Sequence, residues 1–90
     1  MEDIKKILAR RQATHGNFRT HSAVSQNLKW CLMHHSGWPK LEQLQREALE
    51  MICHKIARIM AGDPKHIDHW LDIAGYATLV VEALSKKGER

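Results

Sequence analysis

Glu47 and Glu50 stand three residues apart, and Asp68 and Asp72 four apart. On a helix both spacings put the two carboxylates side by side on one face. If the two faces meet, four carboxylates gather in a partly desolvated cleft. Such a cluster repels itself unless a cation neutralises it, and the hard ions Mg²⁺ and Mn²⁺ prefer oxygen ligands. Magnesium held in this way bridges phosphate oxygens and activates water. Glu47, Glu50, Asp68 and Asp72 are therefore candidate metal ligands, with Glu50 and Asp72 as the candidate catalytic pair. Lys55 and Arg58, on the stretch that carries the glutamates, are candidate phosphate-binding groups. Tyr76, one turn beyond Asp72, is a candidate lining for a base or sugar pocket. The plainer alternative is that each acidic stripe is the solvated side of an amphipathic helix. Glu50, His54 and Arg58 would then pair along one face, each pair contributing about 0.3–0.5 kcal/mol.

Other chemistries are weakly signalled. The sequence has seven histidines, and His66 and His69 are three apart, yet no CxxC or HExxH zinc pattern occurs. Cys31 and Cys53 both fall in apolar-periodic stretches, where burial raises a thiol's pKa and makes it inert. No glycine-rich phosphate loop is present. Lys5, Lys6, Arg10 and Arg11 make the first stretch basic but without interleaved aromatics, so nucleic acid is not expected as a partner. Trp30, Trp38 and Trp70 read as core or interface anchors. Trp38, beside Pro39, is the one expected to touch a partner.

The elements that must position these residues follow from the punctuation. Breaks at His15-Gly16-Asn17, Ser36-Gly37-Trp38-Pro39 and Gly62-Asp63-Pro64 divide the chain into four segments of helical period, about 3–13, 18–35, 41–61 and 65–86. Val24, Leu28, Cys31 and Leu32 form the apolar stripe of the second. The third is apolar around most of its circumference, with Glu47, Glu50, His54 and Arg58 within roughly 80° of one another. A helix of that kind belongs at the centre of a fold or at a subunit interface. The fourth carries Asp68, His69, Asp72 and Tyr76 as its polar stripe, and Gly75 on the same side suggests the close approach of a ligand or another helix. No stretch alternates like a strand. The predicted fold is a single all-α domain over residues 1–90, a compact antiparallel bundle of about four helices. Ninety residues with a hydrophobic fraction of 43%, a charged fraction of 27% and net charge +4 suit such a domain and permit a polyanionic partner without requiring one. No apolar run is long enough to span a membrane, and the acidic Met1-Glu2-Asp3 start predicts no signal peptide.

The string from Glu47 to Ile59 resembles the central helix of a phage and prophage family of small all-α proteins of unknown function. The string from Asp68 to Ala77 resembles that family's last helix, and His15-Gly16-Asn17-Phe18 resembles an upstream turn that more often reads Tyr-Gly-Asp. That family is distantly similar to the nucleotide-modification-associated domains of phages and, through them, to the MazG-like all-α NTP pyrophosphatases. The resemblance implies a Mg²⁺-dependent nucleoside triphosphate pyrophosphohydrolase, or a nucleotide-binding relative, working as a homo-oligomer (dimer or higher) in the cytoplasm of a bacterial host. Glu47, Glu50 and Asp72 match the family's acids in kind, with Asp68 nearby. The chain departs from the pattern in lacking adjacent glutamates, in carrying His69 where a second glutamate precedes the last aspartate, and in Asn17 at the turn. Those departures leave open a second reading, a non-catalytic phage accessory protein that binds a host protein as a takeover or anti-defence factor.

Overall fold

Gly16 and Asn17 show how the chain sets its first corner. Helix α1 (Glu2–His15) ends where Gly16 takes a left-handed φ of 82°, a conformation open to glycine at little cost. Asn17 then caps helix α2 (Phe18–Met33): its side-chain oxygen accepts from the backbone N–H of Arg19 at 2.8 Å and of Thr20 at 3.3 Å. The structure, a computed structural model, describes residues 2–88.

Helix α2 stops two residues short of the expected end. The backbone N–H of His34 bonds the Trp30 carbonyl at 3.1 Å, that of His35 bonds Leu32, and the His35 ring accepts from the Gly37 N–H at 2.9 Å. A short 3-10 turn (Trp38–Lys40) follows. Helix α3 (Gln43–Ala61) starts with a capping box between Glu42 and Gln45, later than the predicted residue 41. Helix α4 (Ile67–Gly88) begins after Asp63-Pro64, where the Asp63 carboxylate accepts from the Lys65 N–H at 2.9 Å. Four helices with no strand among the described residues make the chain an all-α bundle. None of these helices is long and apolar enough to cross a membrane.

Helix α3 is the centre, as its apolar circumference requires. Helices α2 and α4 pack along it on two sides, α1 touches it more lightly, and α4 packs substantially against α3 alone. The apolar residues buried at these seams are small: Ala48, Cys53 and Ala57. Four polar residues, His21, Ser25, Lys55 and His69, are buried beside them. On α2 the face turned to α3 runs through His21, Ser25, Leu28 and Leu32. Cys31 lies off that face and is exposed, contrary to the expectation that both thiols are buried. Burial does push the Cys53 thiol up.

Large apolar side chains are mostly outside. Among the described residues fourteen are exposed, Trp30 and Trp70 among them, so these two are not core anchors within one chain. Trp38, expected at the surface, is the half-buried one. The Arg46 guanidinium lies 6.0 Å from its ring centroid and donates to the Pro39 carbonyl at 3.1 Å, tying the 3-10 turn to α3. The radius of gyration is 15.6 Å and the extents are 54 × 27 × 25 Å. A compact chain of this length has a radius of about 12 Å, so the bundle is drawn out along its long axis.

The two glycine corners lie against each other. A Cβ on Gly16 would run into the Ala61 carbonyl, and a Cβ on Gly62 into the Thr14 carbonyl. The Thr14 carbonyl accepts from the Asp63 backbone N–H and from His69 Nε2, both at 2.9 Å. His69 is 1% exposed, and its ring adds a second donor to the main-chain one on that carbonyl. This crossing fixes the α1–α2 corner over the last turns of α3. By contrast, nothing approaches the Cβ position of Gly75, so the close contact expected there does not occur within the chain.

Candidate anion-binding site

The four carboxylates are placed apart. Lys55, buried on α3, pairs with Asp72 of α4, Nζ to Oδ2 at 3.0 Å. Hydrogen bonding from that ammonium is the main cause holding the Asp72 carboxyl below its usual range. Lys55 therefore serves a structural pair and does not stand free for a phosphate. Asp68 is exposed and lies 3.8 Å from the His66 ring. Glu47 is exposed on α3, and Glu50 borders a shallow depression lined by Lys29, Trp30 and His34 of α2.

The geometry explains the scatter. Helices α3 and α4 are antiparallel neighbours joined by a short corner, so Lys55 standing level with Asp72 puts Glu47 level with about Val80. Asp68 is then ~12 residues away along α4, or ~18 Å at 1.5 Å per residue. Oxygen ligands of one Mg²⁺ sit about 2.1 Å from the ion. Among the described residues no three of His, Cys, Asp and Glu are arranged to hold a metal ion. Spacing within each helix did place each acid pair on one face. The faces look to different neighbours, Glu50 toward α2 and Asp72 toward α3.

What the fold does gather is positive. Leu8, Arg11 and His15 recur at three and four residues on the last turns of α1. The glycine corner aims that face at the start of α2, where Phe18, Arg19 and His21 project, and at His54 and Arg58, one turn apart on α3. Together they line a half-open cleft of about 380 Å³. Three arginines and three histidines line it, and no carboxylate does. Arg58 was a sequence candidate; Arg11, Arg19 and the histidines were not. Tyr76 is half-buried and lies outside the cleft, although its field, with that of Asp72, reaches Arg58.

The electrostatics are those of a site without a counter-ion. Burial, then the charge of Arg11, lowers the pKa of Arg58, with Asp72 and Tyr76 only partly offsetting them. Among the described residues the Arg58 guanidinium makes no hydrogen bond and no ion pair. Burial, then Arg58, pushes His15 from 6.5 to about 4, with His69, Arg11 and His66 adding to it. Burial and Arg58 likewise take His54 to about 4 and lower His21. The rings are neutral at pH 7 and bond each other, His21 Nε2 to His54 Nδ1 at 3.3 Å. His15 Nδ1 bonds the Thr14 hydroxyl at 2.6 Å. A cavity walled by guanidiniums and neutral imidazoles supplies fixed donors to an anion.

Fold and site together define a class: a small all-α protein built around one central helix, with a basic cleft where its two glycine corners meet. The chain belongs to the family described as a domain of unknown function (DUF6378), whose model matches residues 1–84. No curated protein and no solved structure matches it.

Proposed function

We propose that the chain binds a nucleotide by its phosphates, seated between Arg11, Arg19 and Arg58. The observation that carries this reading is the cleft that gathers three guanidiniums and no carboxylate. Guanidinium forks match phosphate oxygens bidentately, and the strength of such bonds rises where water is partly excluded. Arg58 contributes most, because it is half-buried and its guanidinium has no hydrogen-bond or ion-pair partner to give up among the described residues. Phe18, 77% exposed at the rim, offers a flat apolar face on which a base can stack. The cleft volume lies within the range of small-molecule sites. The backbone N–H groups of Arg19 and Thr20 are already held by the Asn17 side chain, so the guanidiniums and not the helix terminus do the binding.

Magnesium-dependent pyrophosphohydrolysis, implied by the resemblance, needs Glu47, Glu50, Asp68 and Asp72 around one ion. Those residues do not fit an ion within one chain, because they are spread along two helices and Asp72 is already paired with Lys55. The proposal is therefore one of binding, and no hydrolytic step is assigned.

Calorimetric titration of the full chain with a panel of NTPs and dNTPs, without divalent metal, tests the proposal, with inorganic triphosphate as a further ligand. Binding to the wild type is expected, and Arg58→Gln should weaken it ~10- to 100-fold, the scale of one charge-assisted contact. Lys86→Gln, outside the cleft, should leave it unchanged. Equal affinity for triphosphate and nucleotides would show that the base is not read. Absence of binding across the panel and to triphosphate would refute the proposal.

A further inference from the structure

Helix α4 leaves one broad face uncovered. Ile67, Trp70, Leu71, Ala74, Ala77, Thr78, Val81 and Leu84 fall within about 140° of one another at 100° per residue, on a face centred roughly 120° around the helix from the His69, Ile73, Tyr76 and Val80 side that meets α3. All eight are exposed, and none is charged. The five large ones are 42–67% exposed. The face presents on the order of 500 Å² of apolar surface along a helix ~33 Å long. A standard dimer buries ~800 Å² per partner, of which about 60% is apolar, so this face supplies what one half of such an interface needs. Among the described residues only three apolar ones are buried within the chain, so that area is large relative to the chain's own core.

We infer that two copies of the chain pair through this face, with their α4 helices antiparallel about a two-fold axis between Ala77 and Thr78. The arrangement of sizes favours this over any other partner. A two-fold axis at that point sets Ala74 against Val81 of the second copy near the middle and brings Trp70 beside Leu84 of the second copy at each end. Bulky residues then close the ends while Ala77 and Thr78 let the backbones approach at the middle. The stripe's large and small residues are thus complementary to themselves, as an isologous interface requires. The proposal is independent of what the basic cleft binds, since α4 contributes nothing to that cleft.

Light scattering of the full chain should give twice the mass of one chain, and Val81→Glu should weaken the dimer by ~100-fold or more, because it puts unpaired charges at the seam. Val81 is exposed in the single chain, so circular dichroism should show the helices intact. In a Cys31→Ala background, Ala74→Cys combined with Val81→Cys should cross-link on oxidation. Ala74→Cys alone should not, as its symmetry mate is ~10 Å away along the helices and a disulfide needs Cα atoms under about 7 Å apart. A monomer at high concentration, a dimer indifferent to Val81→Glu, or cross-linking by Ala74→Cys alone would each overturn the inference. So would a stable complex in which a different protein occupies the face and no self-association occurs.

Discussion

Lowering the pH from 7 to 4.5 should destabilise the ligand-free protein through His15 and His54. Each ring has a pKa near 6.5 when the chain is unfolded and about 4 when folded, first because it is buried and next because Arg58 faces it. Below pH 6.5 the unfolded chain takes up protons that the folded one refuses, so stability is fully present above 6.5 and is lost as pH falls toward 4. A fall of about 2.5 in pKa converts to ~3.4 kcal/mol per ring if taken at face value. Both rings border an open cleft, where solvent and salt screen the charges, and about 1 kcal/mol each is the appropriate scale. The pair should therefore lower the urea midpoint by ~1.5 M for a domain of this size. Asp72 does not confuse the window: its folded pKa is depressed from 3.8, so its contribution is lost only below that value. Urea melts at pH 7, 5.5 and 4.5, with the ring protons followed by NMR, make the measurement. Arg58→Gln should raise both histidine pKa values and flatten the pH dependence, without loss of stability at pH 7, since it removes a half-buried cation with no partner. Wild-type rings titrating near 6.5, or a midpoint that does not move between pH 7 and 4.5, would refute the reasoning.

Three substitutions probe the crossing that builds the cleft, each read by thermal or urea denaturation. Gly16→Ala should cost at least ~2 kcal/mol, because the left-handed φ and the Ala61 carbonyl both oppose a Cβ. Gly75→Ala, in open space within a helix, should be neutral or stabilise by up to ~1 kcal/mol, and marked destabilisation there would contradict its free surroundings. His69→Ala should cost ~2–4 kcal/mol by leaving a cavity and depriving the Thr14 carbonyl of one donor. It should also weaken ligand binding, because the α1 wall of the cleft is anchored there.

The corners at Gly16, Gly37-Trp38-Pro39 and Gly62-Asp63-Pro64 were legible because glycine, proline and capping side chains act locally. So was the central place of α3, since a helix apolar on most sides has to be covered on most sides. The end of α2 was misplaced because His34 and His35 continue a helical pattern while their hydrogen bonds close a turn. The acid pairs failed for a different reason. Spacing fixes which residues share a face of one helix, but not which neighbour that face meets or at what level. Lys55 pairing with Asp72 sets that level, and nothing in the spacing of Glu47 and Glu50 reveals it. The basic cleft left a partial trace in Leu8, Arg11 and His15 at i, i+3 and i+7 and in His54 and Arg58 at i, i+4. Their convergence depends on two glycines touching across 46 residues of chain, a long-range contact without a local pattern.

The central claim is that the cleft's positive charge awaits phosphate, and NMR of the histidine rings during a metal-free titration with inorganic triphosphate tests it most directly. An anion beside Arg58 offsets the field that depresses His15 and His54, so both pKa values should climb from about 4 toward 6.5 as the ligand saturates. Ring pKa values that stay where they are at saturating triphosphate would contradict it.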